Sequence, residues 1–202
     1  MATTLPFLNK VVSTPKTISS VCVFCGSSNG ASPAYAEQAT GGGSVGLMGA
    51  VAKAVIEGGG KAKAVVPEPL FRCGSKQIAE VIVVPDMHTR KKTMGDECDA
   101  FVVLPGGFGT MEEMMEMVTW SQLNIHSKPI IILNTNGFYD VFIQWIDFAV
   151  KEKFVHAGSV NIFKVCNTVE EVLEALNNYQ APDCRFGLDW VQTPAGSGRD
   201  MT

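Results

Sequence analysis

The sequence predicts an α/β fold, a single domain built on a doubly wound, Rossmann-like parallel sheet that lacks one inner strand. Three observations carry this. Short, β-branched apolar runs alternate with amphipathic helix-length runs, the pattern of parallel strands covered on both faces by crossover helices. Gly-containing loops follow several strands, where doubly wound sheets bind their ligands. The first βαβ unit is also too short for its parts, as counted below. The 202 residues suit one domain, and 46% apolar with 18% charged residues suits a packed core. We divide the chain into a flexible N-terminal arm (1–17), the domain (18–180) and a flexible C-terminal tail (181–202). No internal repeat is present.

Taken in order, Ile18 to Cys25 reads as a buried strand, and Gly26-Ser-Ser-Asn-Gly30 as the polar loop after it. Ser32 and Pro33 open a helix as N-cap and first helical residue. It runs through Ala39 and meets Gly41-Gly-Gly43. A second helix spans Val45 to Glu57, with Val45, Met48, Val51, Ala52 and Val55 as its apolar stripe. Lys61 to Val66 is a strand, Glu68 to Lys76 a loop, Ala79 to Val84 a strand and Asp86 to Glu97 a helix. Ala100 to Leu104 is a buried strand, followed by a Gly-rich loop and a helix from Met111 to Leu123. Strands at Lys128 to Asn134 and Val160 to Val165 flank a helix from Asp140 to Glu152. Thr168 caps the last helix, with Glu170 and Glu171 in its first turn.

Composition narrows function. A net charge of −4 argues against a surface adapted to nucleic acid. No apolar run is long enough to span a bilayer. Six cysteines without small-domain spacing suit a reducing compartment, cytoplasmic and also nuclear. Cys22 and Cys25 formally read C-x-x-C, but residues three apart on a strand face opposite sides, so they read as core thiols and not as a shared metal site. No other cluster has metal-ligand spacing, and no metal or cofactor is expected. The nucleophile elbow G-x-S-x-G is absent, and so is G-x-G-x-x-G after the first strand, which disfavours a serine hydrolase and a nicotinamide enzyme.

The strongest motif is Pro105-Gly-Gly-Phe-Gly-Thr-Met-Glu-Glu113. A strand ends, glycines let amides face outward, and a helix begins, so free N–H groups and the helix dipole suit a phosphate. Thr110 adds a hydroxyl. Glu112 and Glu113 fall in the first turn of a helix read as starting at Met111, beside that anion site. Two carboxylates there would repel an anion, so their placement makes sense if one acts on a sugar. Gly41 to Gly49 forms a second Gly-rich loop entering a helix, and Asp86-Met-His-Thr-Arg-Lys91 brings cations to a helix start. Arg90 can grip an oxygen pair in a fork; Lys92 reads as a solvated base, and His88 as a structural hydrogen-bonder. Met111, Met114, Met115 and Met117 read as core or dimer packing.

Pro105 to Glu113 matches the P-G-G-x-G-T-x-x-E signature of the LONELY GUY proteins, once named lysine decarboxylases. Gly41 to Gly49, Asp86 to Lys91 and Thr119 to Pro129 resemble the same family, and the resemblance runs from Val21 to Leu176. It implies a homodimer that hydrolyses N6-substituted adenine riboside 5'-monophosphates, the cytokinin nucleotides, to free base and ribose 5-phosphate, with no cofactor. The older name would need pyridoxal phosphate, for which no lysine here has a recognisable context. The resemblance makes Glu113 the catalytic carboxylate and Arg90 its partner. Gly106, Gly107, Phe108, Gly109, Thr110, Met111 and Glu112 would bind substrate, with Gly42, Gly43 and Ser44 from the second loop. Lys91 and Thr119 would line the nucleotide site. Two neighbouring readings are a general AMP-type nucleosidase and a non-catalytic nucleotide binder.

The chain departs from the family at one junction. Family members run a second strand into the Gly-Gly-Gly loop, whereas here Thr40 abuts Gly41 directly. Val21 to Gly43 is too short for strand, helix, turn and second strand, which need roughly 30 residues. Its loss should expose apolar edges, and Lys61 to Val66 is the candidate to slide into the vacancy. Glu68 to Lys76 also matches the family poorly.

Overall fold

A computed structural model describes residues 17–40, 46–72, 79–188 and 190. Its elements run β1 (Val21–Phe24), α1 (Pro33–Thr40), α2 (Leu47–Glu57), β2 (Lys63–Pro67), α3 (Glu68–Arg72), β3 (Glu80–Val84), α4 (Met87–Glu97), β4 (Ala100–Val103), α5 (Phe108–Gln122), β5 (Ile130–Leu133), α6 (Asp140–Lys151), β6 (Lys164–Cys166) and α7 (Val169–Asn178). A parallel sheet of order β1-β4-β5-β6 has helices on both faces. One face packs Phe24, Phe101 and Val103 against Met114, Met117 and Ile146; the other packs Val102, Leu104 and Ile131 against Ala36, Leu47 and Val172. The alternation of side chains along each strand places these two sets on opposite faces. Cys22 and Cys25 divide in the same way, Cys22 against the first cluster and Cys25 within the second.

β2 and β3 form a separate two-stranded parallel sheet. The expected slide of Lys61 to Val66 into the vacancy therefore does not occur: this strand pairs with β3 and not with β1. The ladder parity shows what the missing strand leaves behind. Ser20 O accepts from Asp99 N–H and Phe24 O from Leu104 N–H, so Ser20, Cys22 and Phe24 turn their backbone groups to β4. Val21 and Val23 turn theirs the other way, to an edge with no strand paired to it among the described residues. Likewise Ala62 O accepts from Glu80 N–H, so Ala62, Ala64 and Val66 face β3 while Lys63 and Val65 face the open side.

Three boundaries differ from the sequence reading for identifiable reasons. The expected loop after β2 contains α3, a single turn closed by an Arg72–Glu68 pair at i, i+4 spacing. α5 starts at Phe108, three residues before the expected Met111, because Gly107 supplies an extended N-cap and Gly109 is accepted inside the first turn. The expected strand from Val160 is instead a 3-10 turn over Ala157–Ile162, and β6 begins only at Lys164. Thr168 caps α7 as expected, its hydroxyl accepting from Glu171 N–H. Past α7 the chain returns to the turn after α5. Arg185 donates to His126 O, Phe186 N–H to Gln122 O, and the Trp190 indole to Leu123 O. No helix among the described residues is long and apolar enough to cross a membrane.

Candidate active site

The site is built where β1, β4 and the start of α5 meet. Gly26 N–H donates to Pro105 O at 3.0 Å, tying the loops that follow the two strands. A Cβ on Gly106 would stand 2.1 Å from Thr110 Oγ1 and 2.8 Å from Gly26 N, so only glycine lets the backbone pass beneath the buried Thr110. Gly107 and Gly109 face open space, and Phe108 between them is 98% exposed. Gly107, the N-cap of α5, offers no side-chain cap. The first amides of α5 thus lie at a surface that the described residues leave open, the arrangement that suits an anion. Gly46 sits against the loop that follows β1: its φ is +38°, and a Cβ there would lie 2.4 Å from Ser27 O. Gly42, Gly43 and Ser44 lie outside the described residues.

Because α5 starts at Phe108, Glu112 and Glu113 belong to its second turn, and no acidic residue occupies the first. The helix dipole, which acts mainly within the first turn, therefore does not account for them. The two carboxylates also part company. Glu113 is buried and pairs with Arg90 Nη1. Glu112 lies at the surface and pairs with Lys91 Nζ, which also meets Glu116 Oε2 at 2.7 Å. The two adjacent carboxylates thus have separate cationic partners, one buried and one at the surface.

Arg90 comes from α4, whose N-cap Asp86 accepts from both the amide and the hydroxyl of Thr89. Burial lowers the pKa of Arg90, with the thiol of Cys22 and the carboxylate of Glu112 acting in the opposite sense. Its Nε donates to Val65 O at 2.9 Å. Val65 is one of the residues of β2 whose backbone faces away from β3, so Arg90 satisfies a carbonyl that no described strand binds. Hydrogen bonds from Glu112 and then Glu116 raise the pKa of Lys91 and hold it as a cation.

Other expected residues stand apart. Met111 packs against the core. Thr119 donates to Met115 O within its own helix, six residues beyond Glu113 and so roughly 9 Å along the axis. Two participants were not read from the sequence. Glu116 carried a usable signal, its i, i+4 spacing from Glu112; the carbonyl of Val65 carries none, being backbone. An open cleft between β6 and α7, lined by Lys164, Cys166, Glu171 and Glu174, lies at the far edge of the larger sheet and lacks this combination of groups.

Comparison with known proteins shows the family and the fold. The model of a family described as "possible lysine decarboxylase" matches residues 48–176, beginning just past the Thr40–Gly41 junction. A cytokinin riboside 5'-monophosphate phosphoribohydrolase of Arabidopsis thaliana is 42% identical over 176 residues, covering 79% of this chain and 83% of the relative. One from Oryza sativa subsp. japonica is 40% identical over 187 residues, covering 84% and 77%. Among solved structures, the molybdenum cofactor binding protein of Rippkaea orientalis superposes with a TM-score of 0.55 at 18% identity, over 78% of this chain and 94% of that one. The Moco carrier protein of Chlamydomonas reinhardtii gives 0.54 at 19%, over 77% and 93%. Those two likenesses speak for the fold alone.

Proposed function

Since this chain belongs to the LONELY GUY family, we propose that it hydrolyses the N-glycosidic bond of cytokinin riboside 5'-monophosphates, releasing the free base and ribose 5-phosphate. The observation that carries this reading is the Arg90–Glu113 pair, buried beside the uncapped start of α5. Breaking a ribosyl–adenine bond develops positive charge on the sugar, as in glycoside hydrolysis. Glu113 stabilises that charge and orients or deprotonates the attacking water. Arg90 holds the carboxylate in place. The amides of Gly107, Phe108 and Gly109, with the Thr110 hydroxyl, take the 5'-phosphate, and this remote binding positions the ribose. Gly106 allows the close backbone approach this needs.

The reading includes a homodimer in a cytoplasmic or nuclear setting, which the free thiols of the chain suit. Phe108 and the outward-facing Thr119 are available to a second copy. The test is base release from isopentenyladenosine 5'-monophosphate, with AMP as the competing substrate. Release that disappears in Glu113→Gln, while the nucleotide still binds, supports the assignment; a variant with near-normal turnover sinks it. Equal rates on AMP would make the enzyme a general nucleosidase. A second reading, a nucleotide binder without turnover, is favoured by the split sheet, and nucleotide binding without base release by the folded chain would select it.

A further inference from the structure

Lys91 is held by two carboxylates of unlike character. Glu116 reaches it at 2.7 Å from a side chain only 21% exposed, whereas Glu112 reaches it from one that is 50% exposed. Lys91 itself is 13% exposed. Apart from this contact, Oε2 of Glu116 is buried and has no hydrogen-bond partner among the described residues, so the nearby Lys91 ammonium is the charge that offsets it, and the contact cannot be given up cheaply. Glu112 is then surplus to neutralising one cation, and it stands on the turn of α5 that directly follows the open amides at Phe108 and Gly109. A nucleotide phosphate arriving at those amides would meet the carboxylate of Glu112 as a like charge and Lys91 as an opposite one.

We propose that Glu112 is a placeholder that occupies Lys91 in the empty site and swings into solvent when the substrate phosphate arrives, while Glu116 is the fixed partner that keeps Lys91 aimed. This rests on the nucleotide reading given above and adds an exchange of counter-ions to it. Neither residue takes part in bond breaking; Glu116 is a positioning residue acting through Lys91. The two carboxylates therefore have opposite effects on affinity, although both pair with the same lysine. Glu112 competes with the ligand, and Glu116 prepares its site.

Calorimetric titration of the full chain with AMP tests this without depending on turnover. Glu112→Gln should tighten AMP binding by roughly two- to fivefold, the size expected when a half-exposed ion pair no longer has to be broken. Glu116→Gln should weaken it by a similar factor, with thermal unfolding run alongside to show that the variant is folded. In a Lys91→Met background both effects should vanish. If the pairs only tie α4 to α5, Glu112→Gln will leave AMP affinity unchanged or lower it, which overturns the proposal. If AMP fails to bind the unaltered chain, the nucleotide reading itself has failed; if it binds and the signs are not opposite, only the counter-ion exchange has.

Discussion

The two parallel sheets of this molecule are made from similar residues and end up in different states. β4 and β5 are apolar runs of four residues, buried along their whole length. β2 and β3 are also apolar after a charged first residue, Lys63 and Glu80, yet only their last residues are buried, and Val83 is 45% exposed. Composition does not separate them; neighbours do. β4 and β5 each have a strand on either side and helices on both faces. β2 has β3 on one side and, among the described residues, no strand paired on the other. Parallel strands depend on cover that their own sequence does not contain. The Arg90–Glu113 ion pair straddles this divide, Glu113 on the helix after β4 and Arg90 on the helix after β3. The bond to the open edge of β2 and the pair with Glu113 thus fall to one side chain, Arg90.

The sharpest way to break the comparison is to cut that bridge. Arg90→Ala would leave Glu113 buried without its partner and Val65 O without its donor. Removing one member of a buried pair costs about 3–5 kcal/mol. We expect loss of turnover and a marked fall in unfolding temperature. Hydrogen exchange should accelerate more at the amides of β2 and β3 than at those of β4 and β5. A uniform acceleration would mean that the two halves behave as one unit and that the bridge has no special place.

Two truncations compare the halves directly. Phe101 is fully buried, stacked on Phe24 with ring centroids 5.7 Å apart, so Phe101→Ala should cost about 3–5 kcal/mol. Val83→Ala, on the half-covered sheet, should cost less than about 1 kcal/mol, because little apolar area returns to water. Denaturant unfolding of both variants decides it. Similar losses would show that the β2–β3 sheet is buried in solution by something beyond this chain's described residues.

This contrast also marks what the sequence made legible. The run Ala100 to Leu104 and the glycines at 106, 107 and 109 located the strand, the turn and the helix, because each depends on local chemistry. The pairing of Arg90 with Glu113 was legible through the family motif alone, the two being far apart in sequence and joined only by the fold. The start of α5 was misplaced by three residues, since glycines inside a first turn look like loop. The fate of Lys61 to Val66 was also misread. Strand propensity shows that a segment can pair but not with which edge, and β3 offered a contiguous parallel partner in full register.

Acid should probe the better-covered half alone. His126 sits in the turn after α5, its Nδ1 accepting from Lys128 N–H and its Nε2 donating to Met117 O. Burial pushes its pKa down to about 4, with a smaller opposing effect from the bond to Met117. In the unfolded chain the ring takes up a proton near 6.5, so between these values the unfolded state holds the extra proton. Stability is therefore complete above about pH 6.5 and declines as pH falls towards 4, by about 3 kcal/mol in all. His126→Gln should flatten that part of the stability–pH curve. An unchanged slope would assign the acid sensitivity to carboxylates elsewhere.

The smallest effect is the most local. Thr168 caps α7, its hydroxyl accepting from Glu171 N–H at 3.2 Å while Glu171 Oε2 accepts from Asn167 N–H at 2.7 Å. Each side chain satisfies an amide that the helix leaves unpaired, so Thr168→Ala should cost about 1 kcal/mol. α7 lies over β5 and β6, with Val172 packed into the cluster that holds Ile131 and Leu133. Faster exchange should accordingly appear in α7 and extend at most to the edge strand β6. The amides of β2 and β3 and the affinity for AMP should not change, since neither depends on that face. If a cap so far from the vacancy did loosen β2 and β3, the contrast between the two sheets would reflect a globally marginal fold and not the missing neighbour.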